Sequence, residues 1–119
     1  MDGGHVGVLA NGAGYAMATQ DLLHVYGGKA ANFFDLDGDA FREKITHALI
    51  IMEKHKHIDS IFVNMYCGQL PADKVANVIR DSYREKLVSK PMVCRIKGTN
   101  ADIANTTLQN LKSHRIVCI

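Results

Sequence analysis

The sequence predicts an α/β protein in which a parallel β-sheet carries helices on both faces. Three observations favour this fold class. Short apolar runs alternate with helix-length segments along the chain. The helical segments place apolar residues three and four positions apart, as a helix with one buried face requires. Turns that contain glycine follow four of the apolar runs. Such alternation produces parallel strands that are joined by right-handed crossovers.

Five short apolar runs are the predicted strands. The third run begins a buried strand, which is expected to end at Cys67-Gly68. The fourth run begins directly after Pro91. The predicted strands are Val6–Ala10 and residues 31–35, 61–63, 92–96 and 115–119.

Four helices are expected between these strands. The first covers about residues 13–26 and ends at Gly27-Gly28, because glycine readily adopts the left-handed conformation that closes a helix. Asp39 is a suitable N-cap for the second, which ends in the charged run 53–57. The third starts at Pro71. The fourth follows Thr99, which forms a capping-box-like pattern with the acid three residues later. The second, third and fourth helices each have a set of residues that is expected to face inward. These sets are, in order, Phe41, Ile45, Ala48, Leu49 and Met52; Val75, Val78, Ile79 and Tyr83; and Ala104, Thr107, Leu108 and Leu111.

The first and third strands are the most apolar and are therefore expected at the centre of the sheet. This favours the flavodoxin-like strand order 2-1-3-4-5. In such sheets the ligand site lies beyond the carboxyl ends of the strands, where strands one and three meet. The order thus brings the turn that starts at Asn11 beside Gly68, Gln69 and Leu70. Residues 35–39 and 98–100 are expected at the same edge.

The turn before Pro71 is the strongest local signal for a ligand. Proline favours the first helical position, which makes Leu70 the N-cap, and a leucine side chain accepts no capping hydrogen bond. The first N–H groups of that helix then have no obvious partner within the chain. With the positive end of the helix dipole they form a site for phosphate or carboxylate. Water covering these groups is the alternative interpretation.

Composition argues for a single domain of 119 residues and against several partners. The formal charge of +2 favours neither nucleic acid nor a membrane surface. No apolar run approaches the roughly 20 residues that span a bilayer. The first residues do not read as a signal or transit peptide.

The cysteines and histidines suggest no metal site. Cys67, Cys94 and Cys118 are widely spaced and form no CxxC pair, which fits a reducing compartment. A catalytic role for Cys67 would need a nearby base, and no local motif supplies one. His55 and His57 are two residues apart and would not face each other on a helix, so a solvated helix end is the better interpretation.

Other nucleotide and phosphate folds fit the residues poorly. A phospho-receiver needs acidic residues where this chain has LAN and VNM after its first and third strands. A flavin-binding loop should be rich in hydroxyls, whereas NGAGYA has none before Tyr15. The Walker and GxGxxG glycine motifs are both absent.

Four segments resemble the succinyl-CoA synthetase β-subunit family, in its order and at its spacing. Residues 9–19, LANGAGYAMAT, resemble (V/N)NGAGLAMAT, and residues 27–35, GGKAANFFD, resemble GGxPANFLD. Residues 61–68, IFVNMYCG, resemble ILVNIFGG, and residues 95–100, RIKGTN, resemble RLEGTN. DGGHVG near the start is similar to the family's DGNIG. Residues 1–119 therefore resemble one CoA-ligase-type domain, the carboxyl-terminal domain of that subunit.

The resemblance implies a function. The family interconverts succinyl-CoA, phosphate and ADP or GDP with succinate, CoA and ATP or GTP, and a histidine of the α subunit carries the phosphoryl group. The implied role of this domain is to pack on the α subunit and help form the succinate and phosphohistidine site. Asn11, Gly68, Gln69 and Leu70 match the family's substrate-binding positions. None of the histidines matches a catalytic position.

The resemblance also implies where the cofactors bind. Nucleotide and Mg²⁺ bind in a preceding ATP-grasp domain, which this sequence does not contain, and CoA binds mainly on the α subunit. No cofactor is therefore expected on this domain itself. The expected compartment is the mitochondrial matrix, with bacterial cytoplasm as the alternative.

Several residues depart from the family's pattern. Asp37, Asp39 and Cys67 stand where the family has glycine, and QLPA stands where it has IVRC. An arginine is thus missing beside an anion site, and two carboxylates are added near its rim. A non-catalytic interaction domain with a decayed site is therefore the alternative to a working ligase domain. An independent small-molecule-binding domain of flavodoxin type is a more distant option.

Overall fold

The structure, a computed structural model, describes residues 6–10, 30–32, 41–68, 71–111 and 115–119. Within these ranges the chain alternates strands and helices. The strands are β1 (Val6–Ala10), β2 (Ala30–Asn32), β3 (Ser60–Cys67), β4 (Met92–Gly98) and β5 (Ile116–Cys118). The helices are α1 (Phe41–Lys54), α2 (Ala72–Arg84) and α3 (Ala101–Gln109).

The five strands form one parallel sheet in the order β2-β1-β3-β4-β5. This confirms the predicted fold class and strand order. The long central strand β3 pairs with β1 from Ser60 to Asn64 and with β4 from Ile61 to Cys67. Its side chains are mostly buried, as expected for a strand that lies between two others.

The three described helices pack as one layer on one face of the sheet. Their buried side chains form a single core with the strand residues that point to that face, among them Leu9, Ile61 and Val63. Gly7 brings α1 close to the sheet, since a Cβ atom there would lie 2.5 Å from the sulfur of Met52. The residues predicted to face inward on α2 and α3 are buried or half-buried.

The opposite face of the sheet has its own small apolar cluster. Val8 and Ala10 are fully buried there, and Val6 packs against them. The helix predicted at residues 13–26, which would complete the second layer, lies outside the described residues and stays a prediction. The same holds for Asp39 as a helix N-cap and for residues 33–35 of the second strand.

Pairing between neighbouring strands extends two of the predicted strands. β3 reaches from residue 60 to 67 and β4 from 92 to 98, because each residue from Ile61 to Cys67 has a partner on β4. In the described part of the chain, no helix is long and apolar enough to cross a membrane.

Candidate functional site

The carboxyl edge of the sheet is the candidate site, and the structure describes part of it. Gly68 lies exposed directly after β3, and a Cβ atom built on it would meet no atom of the described part of the chain within 4 Å. Asn11 follows β1 in the sequence, but Asn11, Gln69 and Leu70 all lie outside the described residues. Their predicted roles in binding therefore stay predictions.

Main-chain hydrogen bonds join the turn after β3 to the turn after β4. The Thr99 N–H donates to the Cys67 carbonyl oxygen at 2.7 Å, and the Ala72 N–H donates to the Thr99 carbonyl oxygen at 2.9 Å. One residue of the β4–α3 turn thus connects the end of β3 with the start of α2. These two hydrogen bonds are made by main-chain groups alone.

Gly98 is required for this arrangement. Its φ angle is +104°, in a region that side-chain-bearing residues rarely adopt. A Cβ atom on Gly98 would also lie 2.1 Å from the Cys67 carbonyl oxygen, which is the acceptor for Thr99. The close approach of the two turns therefore depends on the absence of a side chain here.

The start of α2 differs from the sequence prediction in two respects. Pro71 is the N-cap rather than the first helical residue, with φ −67° and ψ 141°, and the helix begins at Ala72. The prediction of Leu70 as N-cap was therefore wrong. No side chain caps this end among the described residues, as expected, but the Ala72 N–H is occupied by Thr99. That N–H group is not available to a ligand, because a neighbouring turn satisfies it instead.

The starts of α2 and α3 are joined by one side-chain hydrogen bond. Asn100 is the N-cap of α3, with a left-handed φ of 63°, and its Nδ2 donates to Asp73 Oδ1 at 3.0 Å. The predicted capping box between Thr99 and Asp102 was wrong, because Thr99 lies one residue too early and no side chain makes a cap hydrogen bond. The Asn100 amide connects two helices instead of capping its own.

Two carboxylates shape the electrostatics of this edge. Asp73 lies in the first turn of α2 and Asp102 in the first turn of α3, where each interacts favourably with its helix dipole. Each also reduces the positive potential that an anion would meet. A hollow of about 270 Å³ lies beside the turn between β4 and α3. Its described lining residues are Gly98, Asn100, Ala101, Asp102 and Ile103.

The Cys67 thiol is not an activated nucleophile. It is buried at the end of β3, and burial raises its pKa to about 11. The thiol is therefore protonated at neutral pH, and nucleophilic attack requires the thiolate. In the described ranges no group of three or more metal-ligating side chains comes together. His55 and His57 lie beyond the end of α1, where the His57 N–H donates to His55 Nδ1 at 3.2 Å.

The residues that organise this edge were only partly visible in the sequence. The strand order placed residues 98–100 at the correct edge. The hydrogen bonds through Thr99 and the pairing of Asn100 with Asp73 could not be predicted from local sequence. Asn100 and Asp73, for example, are 27 residues apart in the chain. The GTN sequence at the end of β4 is the available signal, since glycine and asparagine are the residues that most readily adopt left-handed backbone.

Comparison with known proteins gives a consistent result. A family model described as CoA-ligase matches residues 9–116. The β subunit of an ADP-forming succinate–CoA ligase from Blastocystis sp. subtype 1 is 46% identical over 97 residues, which cover 82% of this chain and 23% of the relative. The corresponding subunit from Brevibacillus brevis is 40% identical over 105 residues, covering 88% of this chain and 27% of the relative. The chain thus spans about a quarter of the length of these relatives.

A solved structure has a similar fold. The ATP citrate lyase from Methanothrix soehngenii, determined in complex with citrate and coenzyme A, matches with a TM-score of 0.74. The match covers 98% of this chain and 32% of that chain, at 15% sequence identity. At this identity the likeness concerns the fold alone.

Proposed function

The chain belongs to the CoA-ligase family, and on that premise we propose that it is the carboxyl-terminal domain of a succinyl-CoA synthetase β subunit. In this proposal residues 1–119 form one domain, and an ATP-grasp domain precedes it in the complete subunit. The complete enzyme interconverts succinyl-CoA, phosphate and a nucleoside diphosphate with succinate, CoA and the triphosphate. We place it in the mitochondrial matrix, with bacterial cytoplasm as the alternative.

The proposed role of this domain is to bind and orient substrate beside an α subunit. Nucleotide and Mg²⁺ are assigned to the ATP-grasp domain, CoA to the α subunit, and no catalytic residue to this chain. Asn11, Gly68, Gln69 and Leu70 are the proposed contacts for succinate or the phosphoryl group. Backbone N–H groups and helix dipoles stabilise such anions without a proton transfer.

The observation that carries the proposal is the open surface at Gly68. This residue lies at the switch point of the sheet, between the end of β3 and the start of α2, and no atom of the described residues lies within 4 Å of the missing side chain. The turn beside it is fixed by main-chain hydrogen bonds through Thr99. A carboxylate or phosphate can therefore approach the backbone closely at a position that does not need to rearrange.

The proposal is tested with Gly68→Ala in the full-length β subunit, assembled with its α subunit. The added methyl group fits the folded chain but occupies the space assigned to substrate. We expect the KM for succinate to rise about tenfold or more, with an unchanged melting temperature. Gln109→Ala, an exposed change at the far end of α3, is the matched control and should alter neither quantity.

Two results would contradict this assignment. One is an unchanged KM and kcat for Gly68→Ala, since substrate would then not approach this turn. The other is an absence of succinate–CoA ligase activity in the assembled wild-type enzyme.

A non-catalytic interaction domain is the second candidate, and one observation favours it. The start of α2 offers less to an anion than the sequence suggested, because Thr99 occupies the Ala72 N–H and Asp73 adds a negative charge. The double variant Asp37→Gly and Pro71→Arg, in the assembled enzyme, distinguishes the candidates. A large gain of activity indicates a decayed site. Unchanged, substantial activity indicates a working site that tolerates these residues.

A further inference from the structure

The two cysteines of the outer strands lie directly opposite each other. Cys94 of β4 and Cys118 of β5 are register partners in parallel strands. Register partners point to the same face of a sheet, and their Cα atoms are about 4.8 Å apart. This falls within the 4.4–6.8 Å range of Cα separations in disulfides. The third cysteine, Cys67, is level with Gly98, about 13 Å further along the sheet from Cys94.

The two thiols differ in their access to solvent. Cys94 is fully buried in the core beneath the helices. Cys118 is half-exposed, because β5 is the outermost strand of the sheet on this side. An oxidant in solution can thus reach Cys118 first, and the Cys94 thiol lies next to it on the neighbouring strand. This is the arrangement of a reactive thiol beside a resolving thiol.

We propose that Cys94 and Cys118 form a reversible oxidation site, in which a small disulfide such as oxidised glutathione closes an intramolecular disulfide between β4 and β5. The Cys118 thiolate attacks one sulfur of oxidised glutathione and releases one reduced glutathione. The Cys94 thiolate then attacks the Cys118 sulfur and releases the second. The two thiol protons end on the two glutathione thiols, so two protein thiols are oxidised and one small disulfide is reduced.

The geometry also makes this disulfide easy to reduce. Cβ atoms in disulfides are about 3.8 Å apart, so the two Cβ atoms must tilt toward each other by roughly 1 Å, because hydrogen bonds such as that from the Ile119 N–H to the Cys94 carbonyl oxygen keep the two backbones apart. β5 can adjust because it is three residues long and, among the described strands, pairs with β4 alone. The bond then carries strain, and strained disulfides are the labile ones. Burial raises the pKa of both thiols, so the reaction with a mild oxidant is slow at neutral pH.

Peptide mapping tests the proposal directly. The folded full-length chain is incubated with oxidised glutathione, free thiols are alkylated in denaturant, and the protein is digested with trypsin without reduction. Cys94 falls in the tryptic peptide 87–95, Cys118 in the peptide that starts at Ile116 and Cys67 in 57–74. We expect the peptides that contain Cys94 and Cys118 to be joined in most of the oxidised protein, and dithiothreitol to separate them.

Variants and an unfolded control make the result specific. Cys67→Ser should keep the linked peptide, whereas Cys118→Ser should abolish it. In urea, where strand register is lost, Cys67 should also appear in disulfides with Cys94 and with Cys118. The proposal is overturned if the folded chain gives that same mixture. It is also overturned if Cys118 ends as a glutathione adduct while Cys94 remains free to alkylate.

Discussion

The two edges of the parallel sheet are held by different kinds of hydrogen bond. At the amino edge, charged side chains connect the end of α1 to the start of β4. Lys90 Nζ donates to the carbonyl oxygens of Met52 and His55, each at 2.8 Å. The Glu53 carboxylate accepts from the Ser89 N–H at 2.9 Å and the Ser89 hydroxyl at 2.7 Å. At the carboxyl edge, main-chain groups of Cys67, Thr99 and Ala72 make most of the connections, and one side-chain hydrogen bond joins Asn100 to Asp73.

This difference suits the two edges to different roles: the amino edge supports the fold, and the carboxyl edge presents backbone to a ligand. The side chains at the amino edge satisfy the last carbonyls of a helix and occupy the surface between the elements. The main-chain bonds at the carboxyl edge hold two turns together and leave Gly68 open. A ligand site needs such exposed, fixed backbone, whereas a supporting edge does not. The comparison also predicts which edge responds to pH and which to an added methyl group.

The largest expected effect is that of Gly98→Ala at the carboxyl edge. The new Cβ atom would clash with the Cys67 carbonyl and force an alanine into a left-handed backbone region. We expect the free energy of unfolding to fall by about 3 kcal/mol, measured by urea denaturation. The matched change Gly68→Ala, in the neighbouring turn after β3, should cost less than about 0.5 kcal/mol. Equal losses in the two variants would contradict the main-chain account of this edge.

An intermediate effect is expected for Lys90→Met at the amino edge. Methionine keeps the apolar stem but removes the ammonium group from two carbonyls at the end of α1. The loss should be about 2 kcal/mol, because hydrogen bonds from a charged donor to helix carbonyls are being removed. Lys54→Met, an exposed lysine of the same helix end, is the control and should change stability by less than about 0.5 kcal/mol. Urea denaturation that finds the two variants alike would show that the Lys90 contacts contribute little.

The smallest expected effect is the pH dependence that Glu53 brings to the amino edge. Burial raises the pKa of this carboxyl group, but hydrogen bonds from Ser89 and Lys90 outweigh burial and hold the pKa below its usual range. The folded state thus binds the proton more weakly than the unfolded state. The resulting stabilisation is complete above the ordinary glutamate pKa of about 4.3 and is lost as pH falls through the folded value.

Thermal melts across the acid range measure this contribution. Glu53→Gln removes the titrating group, so its stability should decline less steeply than that of the wild type as the pH falls through this window. Parallel declines in the two proteins would mean that Glu53 adds no pH dependence.

Most of the fold could be predicted from the sequence because its signals are local. Apolar spacing identified α1, α2 and α3 and their buried sides, and the most apolar runs were correctly placed at the centre of the sheet. The bounds of β3 and β4 were underestimated, because pairing with a neighbour keeps polar residues such as Asn64 and Lys97 in the strand. The β-propensity of one segment does not indicate how far the neighbouring strand will pair with it.

The candidate site was predictable in position but not in detail. The strand order brings Gly68 and residues 98–100 to the same edge, as the sequence indicated. The prediction of Pro71 as the first helical residue was off by one, because the helix begins at Ala72. The fixed φ angle of proline suits the extended N-cap as well as the first helical position, so the sequence does not distinguish the two. The partner of the Ala72 N–H could not be read from its neighbours, since Thr99 belongs to a different turn.

The sequence by itself determined the fold class, the strand order, the family and the edge at which a ligand is expected. These depend on periodicity, turn residues and motifs, which are written along short stretches of chain. Only the tertiary structure decided which N–H is occupied, why Gly98 must lack a side chain, and that Cys94 faces Cys118. Each of these depends on the register of two strands or the contact of two turns. Register is set by the packing of the whole sheet, so it appears only when distant segments meet.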